Sequence, residues 1–189
     1  MKTTNIMIVG VGGQGSLLAS KLLGRLLLNE GYDVKVSEVH GMSQRGGSVV
    51  TYVRYGEKVY SPIIDKGEAD FIVSFEKLEA ARYAEFLKKG GKIIVNSQEL
   101  DPMPVITGAA EYPHEALENL KVKGVDIDEV DALTPALEAG SAKAVNIVLM
   151  GRLSKNLSMD KEKWIEAINQ TVAPKFIDMN IKAFELGIK

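Results

Sequence analysis

The sequence predicts an α/β fold: a mostly parallel sheet flanked by helices, with an antiparallel hairpin. Three features predict it. Short apolar runs that stop at a glycine or polar residue, "NIMIVG" (5–10), "DFIVSF" (70–75) and "KIIVN" (92–96), have the length and composition of buried strands. Segments of helical period lie between such runs, the alternation that builds a parallel sheet. "SVVTYVR" (48–54) alternates with a period of two and runs into "YGEK" (55–58), a turn candidate.

Each element can be argued in order. "NIMIVG" is the first strand and "GVGGQG" (10–15) the turn after it. A helix over 14–30 follows, with Leu17, Leu18, Leu22 and the run 26–28 as its apolar face and Gly31 as its cap. "YDVKVSEV" (32–39) is the second strand and "SVVTYVR" the third. "VYSP" (59–62) is expected to return as a short strand that Pro62 helps to end. After "DFIVSF" the stretch 76–91 predicts one amphipathic helix, its two lysines in the last turn where the dipole favours them. "SQELDPMPVITG" (97–108) is expected to be irregular because of Pro102 and Pro104. A short helix over 113–120, a strand within "GVDIDEVDA" and a helix capped by Thr134 ahead of Pro135 come next. "SAKAVNIVLMGRLS" (141–154) is apolar nearly all round and predicts a buried helix, and helices over 160–170 and 174–186 finish the chain. One domain over 1–189 is expected.

Composition narrows the function. The chain is 46% hydrophobic and 25% charged, with a formal net charge of -2. That balance offers no broad electrostatic footprint for nucleic acid. No apolar run is long enough to span a bilayer, and the opening "MKTTNIMIVGVGG" lacks the form of a secretory signal, so a cytoplasmic location is expected. Cysteine is absent, which excludes disulfides and thiolate-ligated clusters on this chain. With only His40 and His114, far apart in sequence, no metal site is expected.

Gly10, Gly12, Gly13, Gln14 and Gly15 belong to a G-x-G-x-x-G loop set between a strand and a helix. Its glycines tighten the turn and let an anion approach backbone N–H groups at the helix start; the plain alternative is a tight turn that binds nothing. A nicotinamide or flavin dinucleotide is the obvious ligand, and Glu38 sits near the end of the second strand, where a ribose-binding acid belongs. The chain nevertheless runs from Glu38 directly into "HGMSQRGGSVV", with no room for the second crossover helix that a dinucleotide fold requires. The loop is Rossmann-like, the fold not a full dinucleotide fold, and a free-standing dinucleotide-dependent oxidoreductase is the rival reading. Neither a P-loop lysine nor a thiamine diphosphate motif is present.

"IMIVGVGGQGSLLASKLL", "SEVHGMSQRGGSVVTYVRYG", "GEADFIVSFEKLEAARY", "GGKIIVNS" and "GSAKAVNIVLMGRLS" together resemble the gamma-type subunits of 2-oxoacid:ferredoxin oxidoreductases. The resemblance covers nearly the whole chain, and "HGMSQRGGSV" favours the indolepyruvate branch. It implies membership of an enzyme that decarboxylates an aryl 2-oxoacid on thiamine diphosphate, passes electrons through iron–sulfur clusters to ferredoxin and delivers the acyl group to coenzyme A. It further implies a large partner subunit that carries the thiamine diphosphate and the clusters, and a non-catalytic small subunit with no tightly bound cofactor of its own. Coenzyme A is its candidate ligand; alone, the chain is expected to self-associate through its partner-binding surface. Another 2-oxoacid, or a subunit that binds no small molecule, are the alternatives.

Ser43, Gln44, Arg45, Gly46 and Gly47 are the second group of candidate ligand contacts. Arg45 offers a planar fork of donors for phosphate or carboxylate, or pairs with a carboxylate of the fold or of a partner. The two glycines after it permit close approach. Asn96, at a strand end, is either a loop cap or a ligand contact. Asn146, in an apolar helix, must be hydrogen-bonded and is expected to tether a loop.

Overall fold

The computed structural model describes residues 3–40 and 47–189, apart from the His40 side chain. Six strands form one sheet in the order β2-β3-β1-β4-β5-β6, with β1 at Thr4–Val11, β2 at Asp33–His40, β3 at Ser48–Gly56, β4 at Ala69–Ser74, β5 at Leu87–Asn96 and β6 at Asp126–Val130. β1, β4, β5 and β6 pair in parallel, while β3 runs antiparallel to both β1 and β2. The fold is therefore α/β with a mostly parallel sheet in which β3 is the reversed strand. The helices are α1 (Ser16–Asn29), α2 (Lys77–Tyr83), α3 (Met103–Ile106), α4 (Ala116–Val122), α5 (Leu133–Ala139), α6 (Val145–Ser154), α7 (Lys161–Thr171) and α8 (Ile177–Ile188).

Strand alternation sorts side chains onto two faces. Ile6 and Ile8 of β1, with Val73 and Ile94, enter a core shared with α1, α5, α6, α7 and α8. Met7, Val9, Ile72, Ile93 and Val95 enter the opposite core, which Ala80 and Leu117 of α2 and α4 close. β1 is buried on both faces, as expected for a central strand of a covered sheet.

Four local expectations are corrected. The antiparallel partner of β3 is β2, and "VYSP" forms no strand: both edges of β3 are already occupied. The segment is instead held by Arg54 Nη1, which donates to the carbonyls of Ser61 (3.2 Å) and Ile63 (2.6 Å). The predicted 76–91 helix ends at Tyr83 and passes through a 3-10 turn, Ala84–Phe86, so Lys88 lies on β5 and pairs with Asp70 rather than with a helix dipole. Gly91 permits this, because a Cβ there would meet the backbone oxygens of Asp70 (2.9 Å) and Ala69 (3.0 Å). Pro104 does not prevent α3, since proline is tolerated in a first turn. Asp131, not Thr134, caps α5: its Oδ1 accepts from the N–H groups of Leu133 (3.0 Å) and Thr134 (3.1 Å). These bonds, the Thr134 hydroxyl foremost, hold the Asp131 carboxyl below its ordinary range.

α6 and α8 cross in backbone contact. A Cβ built on Gly151 or Gly187 would fall well inside 3.0 Å of the Phe184 or Val148 carbonyl oxygen, respectively. Gly24, mid-helix in α1, has only Val36 Cγ2 nearby, at 3.8 Å. Gly151→Ala should therefore destabilise the chain by about 1–3 kcal/mol through overpacking. Gly24→Ala should stabilise it by about 0.5–1 kcal/mol through helix propensity. Urea unfolding midpoints of the two variants should move in opposite directions.

Candidate functional site

The site forms where the parallel strands end. Gly12 and Gly13 follow β1, and Gly15 caps α1 with φ 88°, a backbone conformation that disfavours side chains. A Cβ on Gly15 would also meet Asn146 Nδ2 at 2.7 Å. That amide donates to the Gly15 carbonyl (3.1 Å), so Asn146 tethers the loop as expected. Gly13, at φ 91°, has open space beside it.

Gln14 folds back into the loop. Its Oε1 accepts from the Val11 N–H (2.7 Å), and its Nε2 donates to Gln98 Oε1 (3.2 Å) and to the Phe75 carbonyl (3.4 Å). Gly10 is buried in β1, where a Cβ would strike Gln14 Oε1 (2.8 Å) and Phe75 Cβ (3.0 Å); it serves packing rather than exposing an N–H. The Gly12 N–H donates to the Gly47 carbonyl (3.2 Å), so Gly47 lies beside the glycine loop. Ser43, Gln44, Arg45 and Gly46 lie outside the described residues. Among the described residues, the N–H groups of Gly13, Gly15, Ser16 and Leu17 have no acceptor. They gather at the positive end of the α1 dipole, an arrangement suited to an anion.

Of the two roles open to Asn96, the geometry carries the cap. Asn96 is 2% exposed. Its Nδ2 donates to the Phe75 carbonyl (3.2 Å), and its Oδ1 accepts from the Ala132 N–H (3.0 Å). Both ends of the amide are engaged by backbone, the arrangement of a loop cap.

Two clefts flank the loop. One, of about 580 Å³, is lined by Gly13, Gly15, Leu18, Gln98, Leu133 and Lys143. Lys143 has no acidic partner among the described residues. The other, of about 430 Å³, lies between α2 and α3 and is lined by Gly47, Ser48, Glu79, Arg82, Leu100 and Met103 among others. At its base Glu76, 1% exposed, receives the Tyr112 hydroxyl, the Leu100 N–H (3.2 Å) and the Glu79 N–H (2.9 Å). Burial first, and then the Glu76 carboxylate, push the Tyr112 phenol far above the ordinary tyrosine value. Glu79 in turn receives the Ser48 hydroxyl and Arg82 Nε (3.1 Å). Sequence reasoning missed Glu76, Glu79, Arg82 and Lys143. The only signal was a glutamate pair spaced i, i+3 directly after an apolar strand.

A glycine loop at the end of the central strand, a β2–β3 hairpin in place of a second crossover, and two flanking clefts define an α/β domain with a Rossmann-like loop but without the full dinucleotide fold. The chain belongs to the pyruvate ferredoxin/flavodoxin oxidoreductase family, whose model matches residues 5–189. It is 48% identical to the indolepyruvate oxidoreductase subunit IorB of Thermococcus kodakarensis, over all of this chain and 96% of that protein. It is 29% identical to the pyruvate/ketoisovalerate oxidoreductases common subunit gamma of Thermococcus litoralis, over 92% of this chain and 89% of that one. Its fold matches the 2-oxoglutarate:ferredoxin oxidoreductase of Magnetococcus marinus, solved with 2-oxoglutarate, coenzyme A and succinyl-CoA bound. The TM-score is 0.76 at 18% identity, and the match covers all of this chain and 31% of the longer one.

Asn96→Leu should cost about 1–3 kcal/mol of stability, because the Ala132 N–H loses its acceptor inside the fold. Urea unfolding measures this directly. Tyr112 supplies a pH test. Its folded value is raised, so its contribution is complete below the ordinary value of 10.0 and is lost as pH climbs beyond it. Tyr112→Phe should therefore lose less stability than the parent between pH about 10 and 11, and its phenolate absorbance titration should match the parent's over that range.

Proposed function

We propose that this chain is the small, non-catalytic beta subunit of an indolepyruvate:ferredoxin oxidoreductase. The complete enzyme would convert indolepyruvate, coenzyme A and oxidised ferredoxin to indoleacetyl-CoA, carbon dioxide and reduced ferredoxin. The observation that carries the reading is the contrast in identity, 48% to the indolepyruvate subunit against 29% to the pyruvate/ketoisovalerate subunit. Cluster chemistry needs thiolates, and the chain has no cysteine. The clusters, and the thiamine diphosphate for which no motif is present, are therefore assigned to a large partner subunit, through which ferredoxin is reduced.

The contribution proposed for this chain is subunit packing and coenzyme A binding. The N–H groups at the start of α1 that have no acceptor among the described residues, and Lys143 in the cleft beside them, suit the pyrophosphate of coenzyme A. Gly12, Gly13 and Gly15, with Ser43, Gln44, Arg45, Gly46 and Gly47, are the proposed contacts, and Gln14 shapes the loop. Residues 1–189 are read as one domain that works in the cytoplasm.

Co-expressed with its large partner, the chain should co-elute at low concentration, and the complex should turn over indolepyruvate with coenzyme A. The isolated chain should show neither iron–sulfur absorbance nor turnover. Arg45→Ala should weaken coenzyme A by about 10- to 150-fold in a complex that still assembles, with the 2-oxoacid KM little changed. Turnover by the isolated chain, or full activity of the partner alone, would overturn the reading.

A further inference from the structure

We propose that the cleft between α2 and α3 seats a 3′-phosphorylated adenosine and that Arg82 binds its 3′-phosphate; this deepens the coenzyme A reading and rests on it. Arg82 is oriented but unfulfilled. Its Nε donates to Glu79 Oε1 at 3.1 Å. The Glu79 side chain is only 6% exposed and is anchored from the other side by the Ser48 hydroxyl. The two outer guanidinium nitrogens have no acceptor among the described residues. A carboxylate that holds an arginine from behind aims its outer fork, and that fork matches two oxygens of one phosphate.

The walls fit the rest of such a group. Leu78 lines the cleft, and Met103 and Ile106 of α3 stand 59% and 65% exposed on its rim. Thioether and branched aliphatic surfaces of this kind accommodate the face of a planar ring. The cleft volume, about 430 Å³, falls in the range of small-molecule sites. Continuity with the glycine loop supplies the last argument. Val11 and Gly47 line this cleft, and Leu100 lines both clefts. One extended ligand can therefore place a phosphate at the start of α1 and reach Arg82 with another. Coenzyme A carries two separated phosphate groups, the pyrophosphate and the ribose 3′-phosphate. A 2-oxoacid has one carboxylate and would use one anion site; a dinucleotide such as NAD lacks the 3′-phosphate.

The test compares coenzyme A with 3′-dephospho-coenzyme A, and adenosine 3′,5′-bisphosphate with AMP, by calorimetry on the assembled complex. The parent should bind each 3′-phosphorylated ligand about 10-fold or more tightly than its counterpart. Arg82→Gln should abolish that preference while leaving 3′-dephospho-coenzyme A and AMP unchanged. Arg82→Lys should restore part of it. Equal affinity for the paired ligands in the parent overturns the proposal. So does an Arg82→Gln variant that weakens all four ligands alike, or one that raises only the 2-oxoacid KM. Failure of the chain and the complex to bind coenzyme A at all would instead overturn the wider reading, an outcome distinct from binding that ignores the 3′-phosphate.

Discussion

The backbone carbonyl of Phe75 is the point on which the functional edge depends. It accepts from the side-chain amides of Gln14 (3.4 Å) and Asn96 (3.2 Å), while the Phe75 N–H donates to the Val9 carbonyl (2.9 Å). One residue past the end of β4 thus joins three things: the turn after β1, the end of β5 and, through Asn96, the start of α5. Each such bond contributes only about 0.5–1.5 kcal/mol net, but a buried partner left without one costs about 1–3 kcal/mol. The arrangement is therefore close to all-or-none. With Asn146 on the Gly15 carbonyl, three neutral amides hold the glycine loop in place. The loop is bonded within the chain at Val11 and Gly15, and among the described residues the first N–H groups of α1 have no acceptor.

What was legible in the sequence is what depends on neighbours in the chain. β1, β2, β3 and β4 announced themselves by apolar runs or a period of two, and α1 and α6 by their apolar faces. The tethering role of Asn146 followed from the cost of burying an amide. What was not legible depends on partners distant in sequence. The end of α2 is set by strand pairing between Ala69 and Leu87 rather than by the helical period, which continues past it. The absence of a strand at "VYSP" follows from β1 and β2 occupying both edges of β3. Glu79 and Arg82 lie three residues apart on α2, and nothing in the local sequence sets this pair apart. Only the fold brings Ser48, 31 residues away, against the Glu79 carboxylate and buries it.

Charge on the described surface follows the same edge. Lys77 bridges Glu99 (3.3 Å) and Glu129 (3.0 Å), Lys121 bridges Glu118 (2.6 Å) and Glu129 (3.1 Å), and His114 meets Glu99 (2.8 Å). Glu129 foremost, by its hydrogen bond, raises Lys77 above the ordinary lysine value. Such a network ties the start of α2, the loop after β5, α4 and strand β6 together, and a network holds more than isolated surface pairs do. Arg152 adds a two-pronged bond to Asp128 (2.7 and 2.9 Å), which fixes α6, and with it Asn146, to β6. Among the described residues, Lys143 at one cleft and Arg82 at the other keep donors that this network does not engage.

The β2–β3 hairpin separates this glycine loop from a full dinucleotide fold. In a dinucleotide fold the second strand leads through a crossover to a parallel neighbour, and the second half of the ligand rests on what that crossover builds. Here β2 ends at His40, and the chain is back beside the glycine loop by Gly47, where the Gly47 carbonyl receives the Gly12 N–H. The glycine loop of the first half is present; the second half has no parallel strand after β2 on which to form. Leu17, Leu133, Met103 and Ile106, all on loops or first turns that leave this edge, stand 45–65% exposed around it. The glycine loop is thus rimmed by exposed apolar side chains, in a chain whose relatives are subunits of oxidoreductases.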